Sequence, residues 1–142
     1  MSNPKESSGS LWFLTACAWT GFILFSSSSF ALRQCDMAFQ KLYSWILGGG
    51  PYQQDGTTYE TVRLIVDKGF HLTMFFVLAL PLSKVFVARQ SKLGYIALAG
   101  LIVGSVSELL QNYFPGRDPA VQDVLLNLTG ILIGAVWFLR NQ

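Results

Sequence analysis

Three short patterns in the second half of the chain carry most of its unusual polar chemistry. The first is Asp67-Lys68-x-x-His71. Residues three and four apart share one face of a helix, so this carboxylate, ammonium and imidazole lie together. The second is Glu108-x-x-Gln111 and the third Asp123-x-x-x-Asn127, with Arg117 and Asp118 between them. Glu108 interrupts a long apolar stretch, where an ionisable group is expensive and normally faces the interior with a partner. Lys68 and Arg117 are suited to hold a phosphate or carboxylate by charge-assisted hydrogen bonds. Asp67, Glu108 and Asp123 can orient those cations or bind the polar remainder of a ligand. An imidazole is the side chain suited to exchange a proton near neutral pH, which gives His71 a place as acid or base.

The same residues admit plainer roles. Asp67 and His71 make a simple Asp–His pair, and Lys68 or Arg117 can serve as a structural counter-ion for Glu108. Asp118 suits a turn, and Asp123 suits the positive end of a helix, worth ~0.3–1 kcal/mol. Gln111 and Asn127 can join helices at about 1 kcal/mol each. Asp67, His71, Glu108 and Asp123 together offer enough ligands for a hard divalent cation. There is no second histidine, so zinc has little support, and no metal or other cofactor is expected from the sequence. Ser105 and Ser107 have no recognisable oxyanion site, and no phosphate-cradling glycine loop is present. No catalytic residue is assigned on these grounds.

These patterns must be positioned by elements built for lipid. The 142 residues are 51% hydrophobic but only 13% charged, about half the charged fraction of a soluble domain. A net charge of +2 and a mean hydropathy of +0.42 exclude a disordered chain and a nucleic-acid module. The expected architecture is all-α: an integral membrane four-helix bundle forming a single domain over 1–142. Spans are expected at about 11–30, 68–88, 93–113 and 121–140, each near the ~20 residues a bilayer requires. Ser29-Phe30-Ala31 also resembles a signal-peptide cleavage site, but the long apolar run with Trp12 and Trp19 favours a retained helix.

The outer loop 31–67 contains Phe39, Leu42, Tyr43 and Ile46 at helical spacing. They predict a short amphipathic helix at the bilayer interface between helices 1 and 2, ended by Gly48-Gly49-Gly50-Pro51. A partner-docking helix is the competing reading. Trp12, Trp45 and Trp137 fit interfacial belts. Cys17 and Cys35 are expected to be unpaired. Gly100 and Gly104, and then Gly130 and Gly134, form small-xxx-small stripes expected to pack the last two helices together. Lys and Arg are equally numerous on the two sides of this topology. They are denser at the termini and at 89–92, which places both termini in the cytoplasm.

At its polar residues the sequence resembles the VanZ-like membrane protein family. The resemblance runs through Asp67-Lys68-x-x-His71, Glu108-x-x-Gln111, Pro115-Gly116-Arg117 and Asp123-x-x-x-Asn127-x-x-Gly130-x-x-x-Gly134, and more loosely the serine run after the first helix. It covers about 67–137 closely. The family takes its name from a member associated with teicoplanin resistance, so the resemblance implies a cell-membrane protein linked to envelope homeostasis or glycopeptide susceptibility. The leading expectation is an outer-face polar pocket for an envelope lipid or lipid-linked precursor head group. Its residues would be Asp67, Lys68, His71, Glu108, Gln111, Arg117, Asp123 and Asn127. The alternatives are a membrane enzyme using His71 or Glu108 as acid/base, and an assembly protein with a satisfied ion-pair network. No nucleic-acid partner is expected; the partners are the bilayer and such a lipid, and the sequence is compatible with an oligomer.

Overall fold

Long charge-free stretches leave the backbone no partner in lipid but itself, so they form helices. A computed structural model describes residues 4–47, 56–86, 91–111, 113 and 121–141. Those residues hold five helices and no strand: α1 (Pro4–Ser26), α2 (Ser29–Leu47), α3 (Gly56–Val85), α4 (Lys92–Gln111) and α5 (Val121–Arg140). Four of them, α1, α3, α4 and α5, are long and apolar enough to cross a membrane. The expected four-span, all-helical architecture is therefore present.

The serine run ends the first span before residue 30. Ser26 and Ser27 turn their hydroxyls back onto the Ile23 carbonyl at 2.7 and 3.1 Å. Such local bonds compete with helix propagation. The hydroxyl of Ser28 then accepts from the Ala31 amide at 3.4 Å, in the position of an N-cap for α2. Much of the expected outer loop is consequently helical. α2 is a 19-residue helix, longer than the short interfacial helix expected from its apolar spacing. α3 begins at Gly56 rather than near 68. Glu60, Arg63, Asp67 and Lys68 mark a departure from lipid but give a helix no reason to stop.

The aromatic face of α2 packs on the first turns of α3. Phe39 and Tyr43 lie 5.5 and 5.2 Å from the Tyr59 ring. Nearer the bundle, the Arg63 guanidinium donates to both oxygens of Asp36 at 2.9 and 3.0 Å. Together α2 and the start of α3 make an antiparallel helical hairpin.

Within the bundle α5 packs most extensively on α3 and then on α4, while α1 lies against α3. Phe75, Leu78, Ile96 and Ile131 fill the centre. Many apolar residues instead face outward, among them Phe13, Phe22, Leu98, Ile102, Leu109 and Ile133. With apolar groups on both sides, hydrophobic transfer does not favour helix association, so close packing and interhelical hydrogen bonds must. The Trp19 indole supplies one such bond, donating to the Met74 carbonyl at 2.9 Å.

The glycine stripes reveal where backbones meet. A β-carbon on Gly130 would lie 2.4 Å from the Leu72 carbonyl oxygen, and one on Gly134 would lie 2.5 Å from that of Phe76. These glycines therefore seat α5 on the α3 backbone, not on the α4 stripe. Gly100 and Gly104 do face α5, but against the Ile131 and Asn127 side chains. Two separate interfaces replace the single glycine-on-glycine contact expected from the sequence.

Candidate functional site: a buried polar layer beside an amphipathic cavity

Helical spacing delivers the polar patterns to one end of the bundle. His71, Glu108, Gln111, Asp123 and Asn127 are all buried, Asn127 completely. Lys68 Nζ donates to Asp123 Oδ1, tying α3 to α5. One turn further along both helices, His71 Nδ1 and Asn127 Oδ1 are 3.2 Å apart. The amide oxygen can only accept, so in this geometry Nδ1 carries the proton. α4 contributes Glu108 and, beside it, Ser107, whose hydroxyl is 2.6 Å from that of Ser27. That bond links α4 to the turn between α1 and α2.

One ligand atom each from His71, Glu108 and Asp123 lie within 4.8 Å of one another. The layer thus joins three helices through a carboxylate-rich centre. Close approach at Gly104 and Gly130 makes this possible, because each lies beside the layer and lets a neighbouring helix come near.

A cavity of about 750 Å³ opens next to this layer. Arg33, Asp36, Glu60, Arg63 and Asp67 supply charge to its lining. Ile23, Phe39, Phe70, Met74 and Phe75 supply apolar surface, while Ser27 and Ser107 lie where α1 meets α4. His71 lines the cavity and also belongs to the buried layer. A chamber of this size suits a small molecule or part of a lipid, and its two arginines present planar donor forks suited to phosphate or carboxylate.

The structure brings together six of the eight expected ligand-binding residues: Lys68, His71, Glu108, Gln111, Asp123 and Asn127. Asp67 lines the cavity instead. Arg117, with Asp118, Pro115 and Gly116, lies outside the described residues. Lys68 is engaged with Asp123 and is not part of the cavity lining, so the cations that face the cavity are Arg33 and Arg63. Sequence reading missed these two, together with Asp36 and Glu60. The available signal was weak: opposite charges at 36 and 63 on faces adjoining the Phe39, Tyr43 and Tyr59 aromatics.

Fold and site define a polytopic helical membrane protein with a polar layer buried at one end of its bundle. A family model described as VanZ/LLP1 matches residues 12–140, nearly the whole chain. The chain belongs to the VanZ/LLP1 family. Comparison with curated proteins and with solved structures finds no match.

Proposed function

We propose that the protein binds the anionic head group of an envelope lipid or lipid-linked precursor in the cavity between the hairpin and the bundle. The observation that carries this reading is the cavity's composition, with arginines and carboxylates alongside apolar side chains. Arg33 and Arg63 would engage phosphate by charge-assisted hydrogen bonds, and the apolar wall would receive the adjoining part of the lipid. The setting we propose is the cell membrane, with both termini cytoplasmic and the cavity on the opposite face. The denser Lys and Arg near the termini and at 89–92 support that orientation. A contribution to envelope homeostasis or glycopeptide susceptibility is the corresponding cellular role.

Native mass spectrometry of gently solubilised protein tests the binding step. The expected result is a retained anionic lipid that is lost from the Arg33→Gln/Arg63→Gln double variant. Equal retention by the variant, or no lipid on the wild type in bilayers rich in anionic lipid, overturns the reading. The exposed Arg63–Asp36 pair contributes only about 0–1 kcal/mol to stability, so loss of lipid would not reflect unfolding. An enzyme acting on a lipid-linked precursor is the second reading. His71, shared by cavity and buried layer, favours it. Turnover of an added precursor, abolished by His71→Gln with lipid retention intact, would distinguish it from binding alone.

A further inference from the structure

His71 of α3, Glu108 of α4 and Asp123 of α5 come from three helices, yet their ligand atoms lie within 4.8 Å of one another. At ion–ligand distances of about 2.0–2.4 Å, atoms on opposite sides of an ion are about 4.0–4.8 Å apart. Adjacent ligands are closer, so the observed spread accommodates a single ion. We infer that this trio is a divalent-cation site. An imidazole nitrogen with two carboxylate oxygens suits Mn²⁺ or a neighbouring first-row ion that keeps open positions. It supplies fewer protein ligands than the four of a structural zinc centre.

Two observations beyond the trio support an ion with further ligands. The side-chain nitrogens of Gln111 and Asn127 are buried and have no hydrogen-bond partner among the described residues. Gln111 stands one turn from Glu108, and Asn127 one turn from Asp123, so both donors belong to this layer. Water or phosphate oxygens on an ion are the acceptors these amides lack. The second observation is the anchoring of His71. Its Nδ1 is engaged by Asn127 Oδ1, which leaves Nε2 for coordination, and metal-bound imidazoles are commonly held through their other nitrogen in this way.

Lys68 sets the competition, because its ammonium occupies an oxygen of Asp123. Ion and ammonium share one carboxylate, so removing the ammonium should tighten the site. His71 also lines the cavity. An ion beside it would therefore meet a phosphate bound there; this step rests on the head-group reading, whereas the ion site does not.

The test uses full-length protein in detergent, stripped with EDTA and titrated with Mn²⁺ alone. Electron paramagnetic resonance reports free Mn²⁺, and elemental analysis reports ions per chain. The expected result is one saturable ion per chain, weakened at least ~10-fold in Glu108→Gln and in Asp123→Asn. Lys68→Gln should bind more tightly, and Arg140→Gln, in the last turn of α5 and away from the layer, should bind as the wild type does. Absence of saturable binding in the wild type overturns the proposal and leaves an ion-pair network. So does undiminished binding in a folded Glu108→Gln. If the carboxylate variants do not fold, failure of Lys68→Gln to tighten binding overturns it. Loss of lipid with Mn²⁺ binding intact would separate the ion site from the head-group site.

Discussion

Replacing Gly130 with alanine sets one methyl group against a backbone rather than a side chain. The added carbon would lie 2.4 Å from the Leu72 carbonyl oxygen, where ordinary contact begins at 3.4 Å. α3 and α5 must therefore separate by about 1 Å, because a helical carbonyl cannot rotate aside as a side chain can. Overpacking of this kind costs roughly 1–3 kcal/mol. Asn127 stands one turn away, and its 3.2 Å bond to His71 would stretch to about 4 Å, beyond hydrogen-bond range. Loss of an interhelical bond adds about 0.6–1 kcal/mol, for a total near 2–4 kcal/mol. Thermal unfolding in detergent, followed by circular dichroism, should show a melting temperature lower by several degrees. Gly69→Ala is the matched control, since nothing lies within 4 Å of its added carbon. There alanine gains about 0.8–1 kcal/mol of helix propensity, so stability should rise or hold. Equal melting temperatures for the two variants would refute the reasoning that backbone contact at Gly130 sets the α3–α5 distance.

Three further outcomes are expected. Leu78 is wholly buried, so Leu78→Ala should destabilise by about 2–5 kcal/mol; a chemical-denaturation midpoint equal to wild type would contradict the assigned core. Ser107→Ala removes the partner of Ser27 and should cost about 1 kcal/mol, whereas adding Ser27→Ala should cost less than the sum of the single changes; strict additivity in a double-mutant cycle would count against the bond. Cys17 and Cys35 are both free, but Cys17 lies within α1 and Cys35 on α2. A membrane-impermeant maleimide added to intact cells should label Cys35 and spare Cys17, and labelling of Cys35 only after the cells are permeabilised would exclude the proposed orientation.

The spans were legible because lipid imposes one rule, an uninterrupted apolar run with internally bonded backbone. That rule says nothing about where a helix stops once it leaves lipid. Thus the charges from Glu60 to Lys68 read as the end of a span, although α3 continues back to Gly56. Likewise, Ser26 to Ser29 read as a weak end to the first helix, whereas the hydroxyls of Ser26, Ser27 and Ser28 divide α1 from α2. In the site, intervals of three and four placed His71 with Lys68, Glu108 with Gln111, and Asp123 with Asn127. Their meeting across three helices required only that the polar faces turn inward. Arg33 and Arg63 escaped because their proximity depends on the hairpin's register, and no local spacing encodes that. The glycine stripes gave the right interface residues but the wrong mates, since small-xxx-small spacing marks a close approach without naming the neighbour.

The length of α3 has a further consequence. Its 30 residues extend for about 45 Å at ~1.5 Å per residue, against a hydrocarbon layer of about 30 Å. α4 and α5, at 20 residues each, match that layer almost without remainder. One continuous rod therefore joins the lipid interior to the region where Arg63 meets Asp36. A thinner bilayer would expose more of that rod or require it to tilt, altering the attitude of the hairpin relative to the bundle. Membrane thickness would then bear on how the hairpin meets the bundle, transmitted along α3.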